Sequence, residues 1–303
     1  MTDKILIFSE ENVRITKGLF MVWMTHASAA SDKRPVDILL NREHWALNEA
    51  KAAFCGNARV RVGCLPFSMP GTLLERAFFT ADRPWIVRAV GFALGQSLNL
   101  FFFPLAVFRL YGCLRKIKPY AVFSHAGGWP NGPLCRWIMY AAALFRVPNR
   151  ILVIHNFPKE IGGRRWGLLA APLRLLRRRS IEKCATSIVT VSDSLRALLE
   201  SEVFGRGVVR IHNGIRLSSP VSGSFSGSGH PNWRPSGLTV GFVGALYPLK
   251  GPHVLLDAFQ SVDAPCELAL LGPAHPEYLK SLERSRLASL MATCRPSETA
   301  SQL

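Results

Sequence analysis

The chain has 303 residues, 49% hydrophobic, and a formal net charge of +17. That length suits two domains of ordinary size, and the abundance of Leu, Ile, Val and Phe excludes a disordered chain outside its linkers. The charge points to a polyanion, an anionic membrane surface or a phosphorylated ligand. No helix-turn-helix, zinc-finger or aromatic RNA-binding strand pattern accompanies it, so no nucleic-acid partner is expected. Seven scattered cysteines form no C-x-x-C and no metal-ligand spacing, which reads as reduced thiols in a cytoplasmic protein with neither a disulfide framework nor a metal site.

Lys4 to Phe8 reads as a first strand, its apolar run too short before Glu10 and Glu11 for a signal peptide. Lys17-Gly18 then opens a helix carrying Leu19, Val22, Trp23 and His26 on one side. Strands follow at Val36 to Leu40 and Ala58 to Leu65, with a helical stretch from Trp45 to Phe54 between them. This alternation predicts an α/β fold with a parallel sheet.

Between Arg88 and Arg109 lie twenty residues without a charge, AVGFALGQSLNLFFFPLAVF. The length suits a membrane-spanning helix. Gln96, Ser97, Asn99 and Pro104 interrupt it, so a buried or interfacial helix pair reads equally well, with Phe101, Phe102 and Phe103 docking on a surface.

Ala121 to His125 is a short buried-type strand that runs into the turn-rich loop Ala126 to Gly132, and a helix is expected from Leu134 to Phe145. A second strand, Ile151 to Asn156, brings His155 to its end. Either histidine alone reads as a satisfied structural residue. Two histidines at the carboxyl ends of successive strands, where ligands of such sheets bind, mark a candidate site.

Residues 164–179, RRWGLLAAPLRLLRRR, hold six arginines and no acid among leucines. Such a stretch reads either as a contact with an anionic membrane surface or as a helix with its leucines inward and its arginines solvated. Ser187 to Ser192 is a further strand, with Ser192, Asp193 and Ser194 as helix caps. Val208 to Asn213 closes the first domain, placed at 1–216, before a Ser/Gly/Pro-rich linker at 217–237.

The second domain, placed at 238–285, opens with Leu238 to Phe259, LTVGFVGALYPLKGPHVLLDAF. An alternating strand breaks at Gly244, a lone Lys250 stands beside Gly251, and apolar residues return at helical spacing. Small residues admit a ligand to the backbone, while a new helix offers unpaired N–H groups and a positive dipole end. With a lysine there, a diphosphate is the natural guest; an ordinary βα unit with a solvated lysine is the other reading.

The order I-x-N-G-I at Ile211 to Ile215, a spacer, then G-F-V-G-x-L-x-x-x-K-G-x-H-x-L-L-x-A-F resembles the donor-binding half of family 4 glycosyltransferases of the GT-B fold. The resemblance extends from about residue 1 to about residue 285 and includes V-T-V-S-x-S-L at Val189 to Leu195. It implies two Rossmann-like domains with parallel sheets and a ligand cleft, and a retaining transfer of sugar from a nucleotide-sugar donor to a glycan or lipid-linked acceptor. Surface polysaccharide or glycolipid synthesis is the setting it implies. The chain contains no Asp-x-Asp, so Lys250, Gly244 and Gly251 are expected to stabilise the leaving diphosphate without a metal. His155 matches a family histidine close to the transferred sugar, Gly18 matches the glycines that let donor phosphate and acceptor approach, and His125 joins the donor-binding set. The implied setting is cytoplasmic, with peripheral association at the inner face of the cell membrane left open.

Three departures from the family pattern stand out, the one at Arg216 a peripheral one. Ala245 stands where the family places an arginine beside the lysine, and Arg216 follows Asn213-Gly214-Ile215 in place of an aspartate. From Leu238 only 66 residues remain, enough for two βα units and without the family's glutamate pair, and 286–303 reads as an irregular tail. The expectation is a donor domain that is incomplete in this sequence. An inactive remnant that docks on membranes or partners is the alternative function.

Overall fold

The computed structural model describes residues 3–10, 18–71, 73–74, 84–127, 133–156, 171–204, 207–214, 238–262, 266–272 and 278–280. The chain divides into two compact units, Met1–Leu217 and Ser218–Leu303. The expected linker 217–237, the tail 286–303 and the first part, 164–170, of the arginine-rich stretch 164–179 lie outside the described residues.

The first unit is a seven-stranded sheet, parallel throughout, built from β1 (Ile5–Ser9), β2 (Val36–Leu40), β3 (Val60–Cys64), β4 (Ala121–Ala126), β5 (Asn149–Ile154), β6 (Ser187–Thr190) and β7 (Val208–Arg210). Its order is β3-β2-β1-β4-β5-β6-β7, which reverses direction between β1 and β4. Helices α1 (Gly18–Ser31), α2 (Leu47–Ala53), α3 (Trp85–Ile117), α4 (Pro133–Leu144), α5 (Ala171–Cys184) and α6 (Asp193–Leu199) connect the strands.

Strand parity sorts the side chains into two cores, because successive residues of a strand point to opposite faces. Leu6 and Phe8 of β1 join a core with α3, α4 and α6, whereas Ile7 joins Phe20, Trp23 and Ala27 of α1 and Ala50 of α2. Both faces of the sheet are therefore covered, which explains why β1, β2, β4 and β5 read as nearly continuous apolar runs.

The helix α3 differs from the expected pair: it is one helix of 33 residues with Pro104 inside it. Pro104 removes one amide donor, but it sits on the exposed side, where the carbonyl of Leu100 is not sealed in the core. Inward, Ala106, Val107, Leu110 and Leu114 anchor the helix in the first core, and Phe103 meets Trp137 and Tyr140 of α4 edge-on. The helix closes at Lys118, in a left-handed conformation with φ 53°, whose N–H donates to the carbonyl of Leu114.

The second unit pairs β8 (Leu238–Val243) with β9 (Cys266–Leu271) in parallel and lays α7 (Pro252–Phe259) against them. Leu256 and Phe259 of the helix meet Leu246, Leu268 and Leu270 in a small core.

Candidate functional site

At the carboxyl ends of β1, β4 and β5 the first unit gathers three histidines. Ser9 pairs in register with His125, and His125 with Val153, so β4 lies between the other two strands. Residues 121, 123 and 125 share one face of β4 and 151, 153 and 155 the same face of the chain through β5, the face that α1 covers. His125 Nδ1 is 3.1 Å from His155 Nε2, and the rings stack with planes 20° apart. His26 of α1 completes the group, its ring centroid 5.2 Å from that of His125.

Burial sets the charge of this cluster. His125 is 0% exposed, and burial, then the neighbouring His155 and His26, hold its imidazole well below the usual range. His155 is lowered to about 4, chiefly by burial and secondarily by His26, and burial also lowers His26. All three rings are neutral at pH 7. Two atoms here remain unpartnered: Ser9 Oγ and His125 Nε2 are buried without a hydrogen bond.

Gly18 is the first residue of α1, where Lys17-Gly18 was expected to open a helix. The next residue, Leu19, lies beside the backbone of Gly127: a Cβ placed on Gly127 would be 3.6 Å from Leu19 Cδ2. The start of α1 therefore adjoins the end of β4, next to the point where the strand order reverses, as the ligand crevices of such sheets do. Residues 128–132 of the adjoining loop lie outside the described residues.

Sequence reasoning missed two members of this region. His26 was visible only as a residue on the inner side of α1, and nothing local in the sequence shows that β4 would bring His125 to it. Glu10, just past β1, is 8% exposed, and its Oε2 accepts the backbone N–H of Leu134, 2.8 Å away, in the first turn of α4. A carboxylate at a helix N-terminus satisfies an open donor and opposes the positive dipole end. The partners are 124 residues apart in sequence, beyond the reach of any capping pattern.

In the second unit the strand, loop and helix around Lys250 form as expected. Pro248–Lys250 is a 3₁₀ turn, and Gly251, at φ +72°, ends it and begins α7. That backbone is what Gly251 is needed for, since a side chain would meet only ordinary contacts. Lys250 is exposed, no ion pair among the described residues engages it, and the first turn of α7 contains no acid. An open hollow lined by Phe242, Pro248, Lys250, Gly251, His253 and Val254 adjoins it. His253 Nδ1 and the Tyr278 hydroxyl are hydrogen-bonded at 2.9 Å.

Gly244 directly follows β8. Space around it is ordinary, and its N–H donates to the carbonyl of Leu271. The glycine that this packing demands is Gly272, at φ +149°, where a Cβ would come within 1.9 Å of the Gly244 carbonyl oxygen. The two backbones touch, and only a residue without a side chain permits it.

Among the described residues no cluster of three or more His, Cys, Asp or Glu could hold a metal ion; the histidine rings of the first unit stack and bond one another instead. Six described cysteines are free.

These features define a class by architecture: an α/β, GT-B-like fold with a seven-stranded parallel Rossmann-type sheet and a second, smaller parallel sheet. The chain is similar to Anabaena HepE, solved in complex with UDP and glucose, with a TM-score of 0.54 and 18% identity over 97% of this chain and 68% of that one. It is also similar to a glycosyltransferase from Rickettsia africae (TM-score 0.55, 10% identity, 97% of this chain and 68% of that one) and to sucrose-phosphate synthase from Thermosynechococcus elongatus (TM-score 0.54, 15% identity, 97% and 70%). No family model and no curated protein sequence matches the chain.

Proposed function

We propose that the chain is a metal-independent, retaining glycosyltransferase that takes a sugar from a nucleotide-sugar donor and passes it to a glycan or lipid-linked acceptor. The observation that carries this reading is the Lys250–Gly251 turn: an exposed lysine without a described acidic partner, followed by the acid-free N-terminal turn of α7. Departure of a nucleoside diphosphate builds negative charge on the bridging oxygen, and a fixed cation beside open N–H groups stabilises that charge without reorganisation. The solved complex of HepE with UDP makes uridine diphosphate sugars the first donors to try.

In the first unit His155 is assigned to the transferred sugar. Its ring is neutral and is oriented by His125, so it exchanges a hydrogen bond with a sugar hydroxyl without adding a positive charge near a developing oxocarbenium ion. Gly18 at the head of α1 and Gly127 at the end of β4 are assigned to the approach of phosphate or acceptor.

The reading is tested by following nucleoside diphosphate release from uridine and guanosine diphosphate sugars in the presence of a chelator. Release that survives the chelator and falls at least about tenfold in Lys250→Ala is expected. Release that requires added divalent metal would contradict the assignment, and absence of any donor binding would favour a remnant that only docks on other molecules.

A further inference from the structure

The face of α3 turned away from the core is apolar along nearly its whole length. Ile86, Val90, Leu94, Phe101, Leu105 and Phe108 follow one another at spacings of four, four, seven, four and three, and all are exposed, Phe101 by 77% and Phe108 by 73%. At 1.5 Å per residue the stripe runs for about 33 Å. The position that breaks the spacing is Ser97, and its hydroxyl donates back to the carbonyl of Ala93, so even this group asks nothing of water. Pro104 extends the same side. Contiguous apolar surface of this kind marks an interaction site, unlike single exposed leucines.

Charge identifies what covers it. The helix contains no acid, and Arg109, Arg115 and Lys116 are exposed toward its C-terminal end. Arg109 is held there, its guanidinium 5.4 Å from the centre of the Phe67 ring. A second copy of the chain would bring another +17 charge and another basic, acid-free helix against the first, whereas an anionic bilayer complements both the stripe and its basic end.

The helix satisfies the length and apolarity of a membrane-spanning segment over Ala93–Ile117, but it is tied into the domain. Ala106, Val107, Leu110 and Leu114 belong to the core of the first unit, and Phe103 packs on α4. Pulling the helix through a bilayer would open that core. A helix with one side in the domain and the other free lies in the plane of the interface.

We infer that α3 is a monotopic docking helix, with Phe101 and Phe108 entering an anionic membrane surface and Arg115 and Lys116 pairing with lipid headgroups. This surface uses none of the residues assigned to the donor turn or the histidine cluster, and it stands whether or not the chain transfers sugar.

Co-sedimentation of the full chain with vesicles of phosphatidylcholine alone, and of phosphatidylcholine mixed with phosphatidylglycerol, tests it. Binding to the mixed vesicles, weakened by salt, and little binding to the neutral ones are expected. Phe101→Ser with Phe108→Ser should lower partitioning by roughly a hundredfold, about tenfold for each ring, with an unchanged melting curve because both rings are exposed in the unbound protein. Arg115→Gln with Lys116→Gln, which leaves the stripe intact, should reduce binding to the mixed vesicles by roughly tenfold. Undiminished binding in either double variant, or no binding of the parent chain to mixed vesicles, would overturn the inference. So would a dimer seen by light scattering that Phe101→Ser with Phe108→Ser dissociates, since the face would then belong to a second copy.

Discussion

His125 and His155 stand on neighbouring parallel strands with Nδ1 of the first 3.1 Å from Nε2 of the second. One proton serves the two nitrogens, so each ring fixes the other's tautomer, and a charge on either would face a neighbouring imidazole in a buried setting. The pair therefore acts as a neutral unit, His125 as the positioning residue and His155 as the group nearer the surface.

This neutrality makes stability fall in mild acid. The His155 ring titrates at about 4 in the folded chain against 6.5 in the unfolded one, so the unfolded chain binds a proton that the folded chain refuses. Above pH 6.5 both states are neutral and nothing is lost. Stability falls as the pH drops from 6.5 toward 4 and levels off below, by at most about 3 kcal/mol for this residue. His44, likewise lowered to about 4 by burial, adds to the same window. Melting temperatures measured from pH 7 to pH 4.5 should decline in the parent chain, and less steeply in His155→Gln. A parallel decline in the two would remove the pair from this account.

The contact of Gly272 with Gly244 sets an order of sensitivity in the second unit. Gly251→Ala forces an ordinary residue to φ +72° and should cost about 1 kcal/mol. Gly272→Ala combines an unfavourable φ of +149° with a clash against backbone and should cost about 3 kcal/mol or prevent the unit from folding. Denaturant unfolding of the two variants measures this, and equal tolerance of both would contradict the close approach.

The two sides of α3 should respond unequally to the same truncation. Leu110 is fully buried, and Leu110→Ala should destabilise by about 2–5 kcal/mol. Leu94 is half exposed, and Leu94→Ala should change stability by less than about 0.5 kcal/mol in the absence of lipid. Chemical denaturation of both variants without vesicles checks the orientation of the helix.

Much of this was legible in the chain. The strand at Val36–Leu40 follows from a short apolar run and that at Leu238–Val243 from apolar alternation, and His125 and His155 stand out by their place at strand ends. The nature of α3 was not, because a helix apolar on every side carries no periodicity to say which face is inside, and Pro104 reads as a break when it sits on an open face. His26, Glu10 and Gly272 were equally hidden. Each owes its role to a partner brought near only by the parallel crossovers: His125 from β4, Leu134 from the start of α4, and the Gly244 carbonyl from the end of β8. The Lys250–Gly251 turn was readable because its parts are adjacent in sequence.

The central claim, that this turn holds the diphosphate of a nucleotide sugar, is met most directly by isothermal titration of the full chain with uridine diphosphate and its sugar conjugates. Saturable binding in the parent chain, weakened about 10- to 100-fold in Lys250→Ala without loss of fold, is the expected result, corresponding to one charge-assisted contact. Binding of equal strength in the parent chain and Lys250→Ala, or no binding of uridine or guanosine diphosphate sugars to the folded parent, would contradict it.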